Sequence, residues 1–168
     1  MSKTIPISKG LKIKWKGPFD MGELYKTIKY WLDFNGYGDE KKTFREEKYV
    51  ERIKGGAKQV EIKWRGEKKV SEYFSYVIEI TYFIIGLKKT KITKDGKEYE
   101  TDKADLELRL SASLITDNKN KFKDKELLQQ FYDKYIIQDR IEGKKIELYQ
   151  KIYSLHDEIK GFLELHKY

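Results

Sequence analysis

The chain holds no cysteine, two prolines, two histidines and five arginines in 168 residues. Without cysteine there is no disulfide framework, no thiolate nucleophile and no cysteine-ligated metal. The histidines, His156 and His166, lie ten residues apart on one expected helix. A helix separates such positions by roughly 15 Å and 80°, so the two rings cannot share one metal ion within a chain. Serine fares no better as a nucleophile. No serine sits in a Gly-x-Ser-x-Gly elbow, and Ser111 and Ser113 fall on the polar side of an expected strand. Gly55-Gly56-Ala57-Lys58 lacks the spacing and the hydroxyl of a phosphate-binding loop. Neighbouring carboxylates such as Glu46-Glu47 and Asp157-Glu158 read as solvated faces. These absences predict no catalytic residue, no metal and no cofactor.

Long apolar runs are also missing. The most apolar stretch, Glu72 to Ile85, is broken by Ser75, Glu79 and Thr81, so no membrane-spanning helix fits. The first residues, MSKTIPISKGLKIKWKG, carry no apolar core of signal-peptide length. The expectation is a cytoplasmic chain with no membrane span.

What is present is charge and aromatic mass. Charged residues make up 38%, hydrophobic ones 39% and aromatics 14%, too apolar for a disordered chain. The length suits one domain, residues 1–168, with a substantial core.

Periodicity sets the fold class. Phe74, Tyr76, Ile78, Ile80, Tyr82 and Ile84 alternate along one face of a long strand. Leu11, Ile13 and Trp15 alternate with Lys12, Lys14 and Lys16 in an earlier, half-buried strand that ends at Gly17-Pro18. Asp20 stands three residues before Glu23, as in a capping box. Met21, Leu24, Tyr25, Ile28, Trp31 and Leu32 follow at helical spacing, and Asn35-Gly36 supplies the stop. The charged stretch 39–54 fits strand or helix. Gly55-Gly56 reads as a turn into a strand with Val60, Ile62 and Trp64 on one side. Asp95-Gly96 is the favoured pair for a two-residue hairpin turn. Its return strand places Leu106, Leu108, Leu110, Ala112 and Leu114 on one face.

A simple two-residue turn at Asp95-Gly96 would set Tyr82 against Arg109 and Ile80 against Ser111, apolar face against polar. A one-residue slip flips every side chain, so one extra residue must be absorbed. Gly86 is the natural bulge, since glycine takes positive φ; Thr101–Lys103 and a longer connecting loop are the alternatives.

After Asp117 the pattern turns helical. Asp124 is placed to cap a helix bearing Leu127, Leu128, Phe131, Tyr132, Tyr135 and Ile136. Beyond it Leu148, Ile152, Leu155, Ile159 and Phe162 recur at spacings of four and three, a short a/d seam. The fold class is therefore α+β. An antiparallel meander sheet of about four or five strands carries one helix after the first strand and a long C-terminal helical region packed on it. Its parts are a strand and helix over 11–36, a sheet over 44–116 and helices over 124–166.

Two features bear on function. Lys12, Lys14 and Lys16 lie in a segment without acids, and Lys88, Lys89, Lys91, Lys94 and Lys97 stand against Asp95 alone. With Tyr99 nearby they would attract nucleic-acid phosphates. Equally, lysines on exposed strands protect sheet edges from aggregation. The seam from Leu148 to Phe162 either covers the chain's own sheet or pairs with a second copy or another protein.

Gly17-Pro18-Phe19-Asp20 leading into Leu24-Tyr25 and Trp31-Leu32, together with Tyr135-Ile136-Ile137 and the Leu165-His166 ending, resembles small archaeal proteins of no assigned activity. That resemblance implies no site or cofactor. The leading expectation is an interaction or assembly protein, self-associating through a sheet edge or the C-terminal helix. The alternative is a nucleic-acid-binding accessory protein using the lysine-rich strands, and the third is a small apolar ligand held under a curved sheet.

Overall fold

The computed structural model describes residues 2–165. Strand β1 (Lys3–Phe19) leads into helix α1 (Met21–Phe34). Strands β2 (Phe44–Lys54), β3 (Ala57–Lys69), β4 (Phe74–Lys94) and β5 (Lys97–Thr116) follow as a meander, then helices α2 (Glu126–Tyr135) and α3 (Gln138–Leu165). All strand pairs are antiparallel, in the order β1-β5-β4-β3-β2. This is the expected α+β architecture.

Helix α1 begins where the capping box places it. The Asp20 carboxylate accepts from the Glu23 amide at 2.9 Å, and the chain exits through Asn35, whose side-chain amide donates to the Trp31 carbonyl. Because β1 and β2 are opposite edges, α1 must cross the sheet. It starts beside β5, where the Met21 amide donates to Asp102, and passes over β3, where Tyr25 meets Trp64 edge-on at 4.6 Å. The ambiguous stretch becomes a turn on the Asp39 carbonyl, which accepts from the Lys42, Thr43 and Phe44 amides, followed by edge strand β2.

Helix α3 covers the same sheet face. Leu148, Ile152, Leu155 and Ile159 have no exposed surface and close the core over β1 and β5, whose Ile13, Leu108 and Leu110 belong to the same buried cluster. The seam therefore packs against the chain's own core. Of the two coverings that the spacing allows, this is the chain's own sheet. Only Phe162 stays half-exposed. The sheet–helix interface is filled by these side chains.

The hairpin register follows the bulge. Lys94 faces Lys97 and Lys88 faces Lys103, as the two-residue turn requires, and Asp95 and Gly96 both take positive φ. Between Ile85 and Lys88 the register shifts by one, and Gly86 sits at φ +70°. Tyr82 then meets Leu108 and Ile80 meets Leu110, apolar on apolar.

Helix α2 departs from expectation. Asp124 takes positive φ and makes no cap; Lys125 precedes the helix with no side-chain cap bond. Gln129 is its buried residue, while Leu127, Leu128, Phe131 and Tyr135 are exposed.

Candidate nucleic-acid interface

The β4–β5 hairpin outruns its neighbours. The last β1 residue, Phe19, pairs with Asp102, and β3 reaches only Leu87 through Lys58. Residues 90–101 therefore project as a free two-stranded arm of roughly 17 Å, at about 3.3 Å per residue.

Alternation gives the arm two unlike faces. One carries Lys88 opposite Lys103, Thr90 opposite Thr101, Ile92 opposite Tyr99, and Lys94 opposite Lys97. It has four lysines, no acid and an exposed tyrosine. The other sets Lys89 against Asp102, Lys91 against Glu100 and Thr93 against Glu98. There Lys89 bonds Asp102 at 2.9 Å, and that hydrogen bond raises the lysine pKa. Like charges placed directly opposite destabilise a ladder, so the two lysine pairs cost the arm stability. Edge protection asks only that lysines be present on the arm; it does not ask that acids be cleared from one side.

The acid-free face continues onto the open side of the sheet. On β5 the odd positions Lys103, Asp105, Glu107 and Arg109 point away from the helices, because the even positions Leu106, Leu108 and Leu110 are buried beneath them, and Lys97, Tyr99 and the buried Thr101 follow in the same alternation. Strand β1 pairs alongside, placing Lys12 by Arg109, Lys14 by Glu107 and Lys16 by Asp105. From Arg109 to Lys97 this strip spans about 40 Å. Of its two acids, Asp105 and Glu107, the second accepts from Arg109 at 2.6 Å, a bond that lowers its pKa. Arg109 also lies over the Phe83 ring, 4.8 Å from its centroid.

The other half of the open face is electrostatically closed. Lys48 pairs with Glu61, Lys63 with Glu47 and Glu79, and Arg65 with Glu79. Among the described residues, no side-chain ion pair engages Lys12, Lys14, Lys16, Lys88, Lys97 or Lys103.

The lysines singled out from sequence thus divide. Lys12, Lys14, Lys16, Lys88 and Lys94 share one surface, whereas Lys89 and Lys91 lie on the acid-paired side. Lys103 belongs to the surface and was not singled out. Its signal was present in the hairpin arithmetic, which places it across from Lys88. His156 sits beside Asp157 on α3, its Nδ1 3.2 Å from the carboxylate, and His166 lies outside the described residues. No helix is long and apolar enough to cross a membrane among the described residues. No family model matches the chain, and no curated protein matches it.

Proposed function

We propose that this is a nucleic-acid-binding accessory protein, and that the arm and the β1–β5 strip hold the phosphates. The observation that carries the reading is the segregation of Lys88, Lys94, Lys97 and Lys103 onto one acid-free face of a projecting hairpin. Lys88 and Lys103, set directly opposite each other, repel until an anion lies between them. A two-stranded ribbon is also the width that the major groove of a duplex admits. Lysines act here as point charges on phosphate, and the strip offers no arginine fork for reading base edges except Arg109, so binding is expected to be insensitive to sequence.

The test is fluorescence anisotropy with labelled duplex DNA of several sequences over a range of salt. If four to six phosphates are neutralised, the slope of log affinity against log salt should be roughly −4 to −5. Similar affinity across sequences is the expected companion result. No binding at low salt rejects the reading.

A further inference from the structure

Helix α2 is amphipathic in the wrong sense for a helix covering its own core. The face turned to the protein is polar: Gln129 is fully buried, and Asp133 accepts a hydrogen bond from the Tyr73 hydroxyl and pairs with Lys3 at 3.6 Å. Only Tyr132 adds aromatic packing there, against Tyr73 and Phe122. The face turned to solvent is apolar. Leu127 is 83% exposed and Tyr135 65%, with Leu128 and Phe131 between them. Together the four expose on the order of 500 Å², more than half of what one partner contributes to a standard interface.

A receptor of matching shape lies elsewhere on the molecule. Helices α1 and α3 leave a groove between them on the side away from the sheet, two concavities of about 920 and 530 Å³ that share Thr27, Ser154 and Glu158. Small side chains, Thr27, Ser154 and Gly161, let another helix approach closely. Aromatic walls flank them, Tyr30 and Phe34 from α1 and Tyr149, Tyr153 and Phe162 from α3. The groove's rim carries Asp157 and Glu158, and also Lys26 and Lys151. On α2, Lys134 stands in the last turn, beside the apolar stripe, and Glu126 stands in the first, so the helix brings a charge of each sign to a rim that carries both.

The chain's own α2 cannot fill the groove. Only Ile136 and Ile137 join it to α3, and folded back along α3 its ten residues would reach about 15 Å. The groove begins at Tyr149, about 16 Å from the start of α3.

We propose that α2 of one copy docks in the α1–α3 groove of a second copy. The two surfaces are different, so the contact is head-to-tail and propagates into rings or open arrays. Each added copy would contribute another arm.

The test is sedimentation velocity on three proteins: the unaltered chain, a helix variant carrying Leu127→Glu and Phe131→Glu, and a groove variant carrying Ser154→Arg. All altered side chains are exposed, and circular dichroism checks that both variants fold; Tyr135→Lys and Gly161→Arg serve as replacements if either does not. The unaltered chain should exceed the monomer mass increasingly with concentration, and each variant alone should stay monomeric. Mixed, the variants should double in mass and stop there, because the one intact helix meets the one intact groove. An unaltered chain that remains monomeric at high concentration overturns the proposal. So does a groove variant that assembles like the unaltered chain, which would mean that α2 pairs with α2, or a mixture that remains monomeric.

Discussion

Tyrosine sets the alkaline limit of this fold. Burial raises the phenol pKa of Tyr82 well above its ordinary value of 10, and burial likewise raises those of Tyr37, Tyr73 and Tyr76. Tyr25 is pushed up to about 12, first by burial and then by donating to Glu46, which also accepts from the Trp64 indole at 2.7 Å. The folded state therefore keeps protons that the unfolded chain gives up near pH 10. These groups contribute stability that is intact below pH 10 and lost as pH rises through 12 and beyond, by about 1.4 kcal/mol per pH unit for each fully buried phenol. Urea unfolding at pH 8, 10 and 11.5 should show a falling midpoint. Ultraviolet titration of the native protein should leave several phenols un-ionised after the exposed ones have titrated. Coincident titration of all tyrosines near pH 10 would contradict the assignment.

Gly86 is the other residue with a defined cost. A Cβ there would meet nothing within 4 Å, so the penalty of Gly86→Ala is backbone strain at φ +70° and not a clash. We expect a loss of about 1–2 kcal/mol by chemical denaturation, with the fold retained. Gly86 was legible from sequence because two incompatible requirements, a tight Asp95-Gly96 turn and apolar pairing of Tyr82 and Ile80, leave one residue over. Lys103 follows from the same turn, which sets it across from Lys88, but it stands outside the lysine runs at 12–16 and 88–97.

At the scale of elements, the strands and α1 were readable because their side-chain periods of two and 3.6 are enforced by burial on one face. The α3 seam was readable as a stripe, but spacing alone does not say what covers it. Here it is the chain's own sheet. Ile152→Asp would bury a carboxylate without a partner in the apolar core that also holds Leu108 and Leu110, and we expect it to destabilise by at least about 4 kcal/mol rather than dissociate an oligomer. A thermal melt of the variant checks this, and an unshifted melt would contradict the packing. Helix α2 misled for the opposite reason. Its apolar spacing predicts an inward face, yet Gln129 and Asp133 are held inward by Tyr73, a residue 60 positions from Asp133 that no local pattern connects to it. Asp124 adopts positive φ in the segment where Asp117 binds the Lys121 and Phe122 amides, so the loop carries its own turn chemistry ahead of the helix.

At the scale of the molecule, one sheet face is sealed by α1 and α3 and the other is open and charged. The net charge of +8 does not by itself locate a surface. Location comes from pairing: Lys48 on β2 and Lys63 on β3 are paired with glutamates, while no side-chain ion pair engages Lys12, Lys14, Lys16, Lys88, Lys97 or Lys103 among the described residues. Two variants with the same change in net charge separate a surface from a bulk charge effect. One reverses Lys88 and Lys94 to glutamate on the acid-free face of the arm; the other reverses Lys89 and Lys91 on the acid-paired face. Affinity of each for one duplex oligonucleotide at fixed low salt is the measurement. The Lys88→Glu, Lys94→Glu protein should bind at least about tenfold more weakly and lose about two units of salt slope, and the Lys89→Glu, Lys91→Glu protein should stay within about threefold of the unaltered chain. Equal loss in both variants would contradict the account, because the two faces of the arm would then be one diffuse cloud of charge.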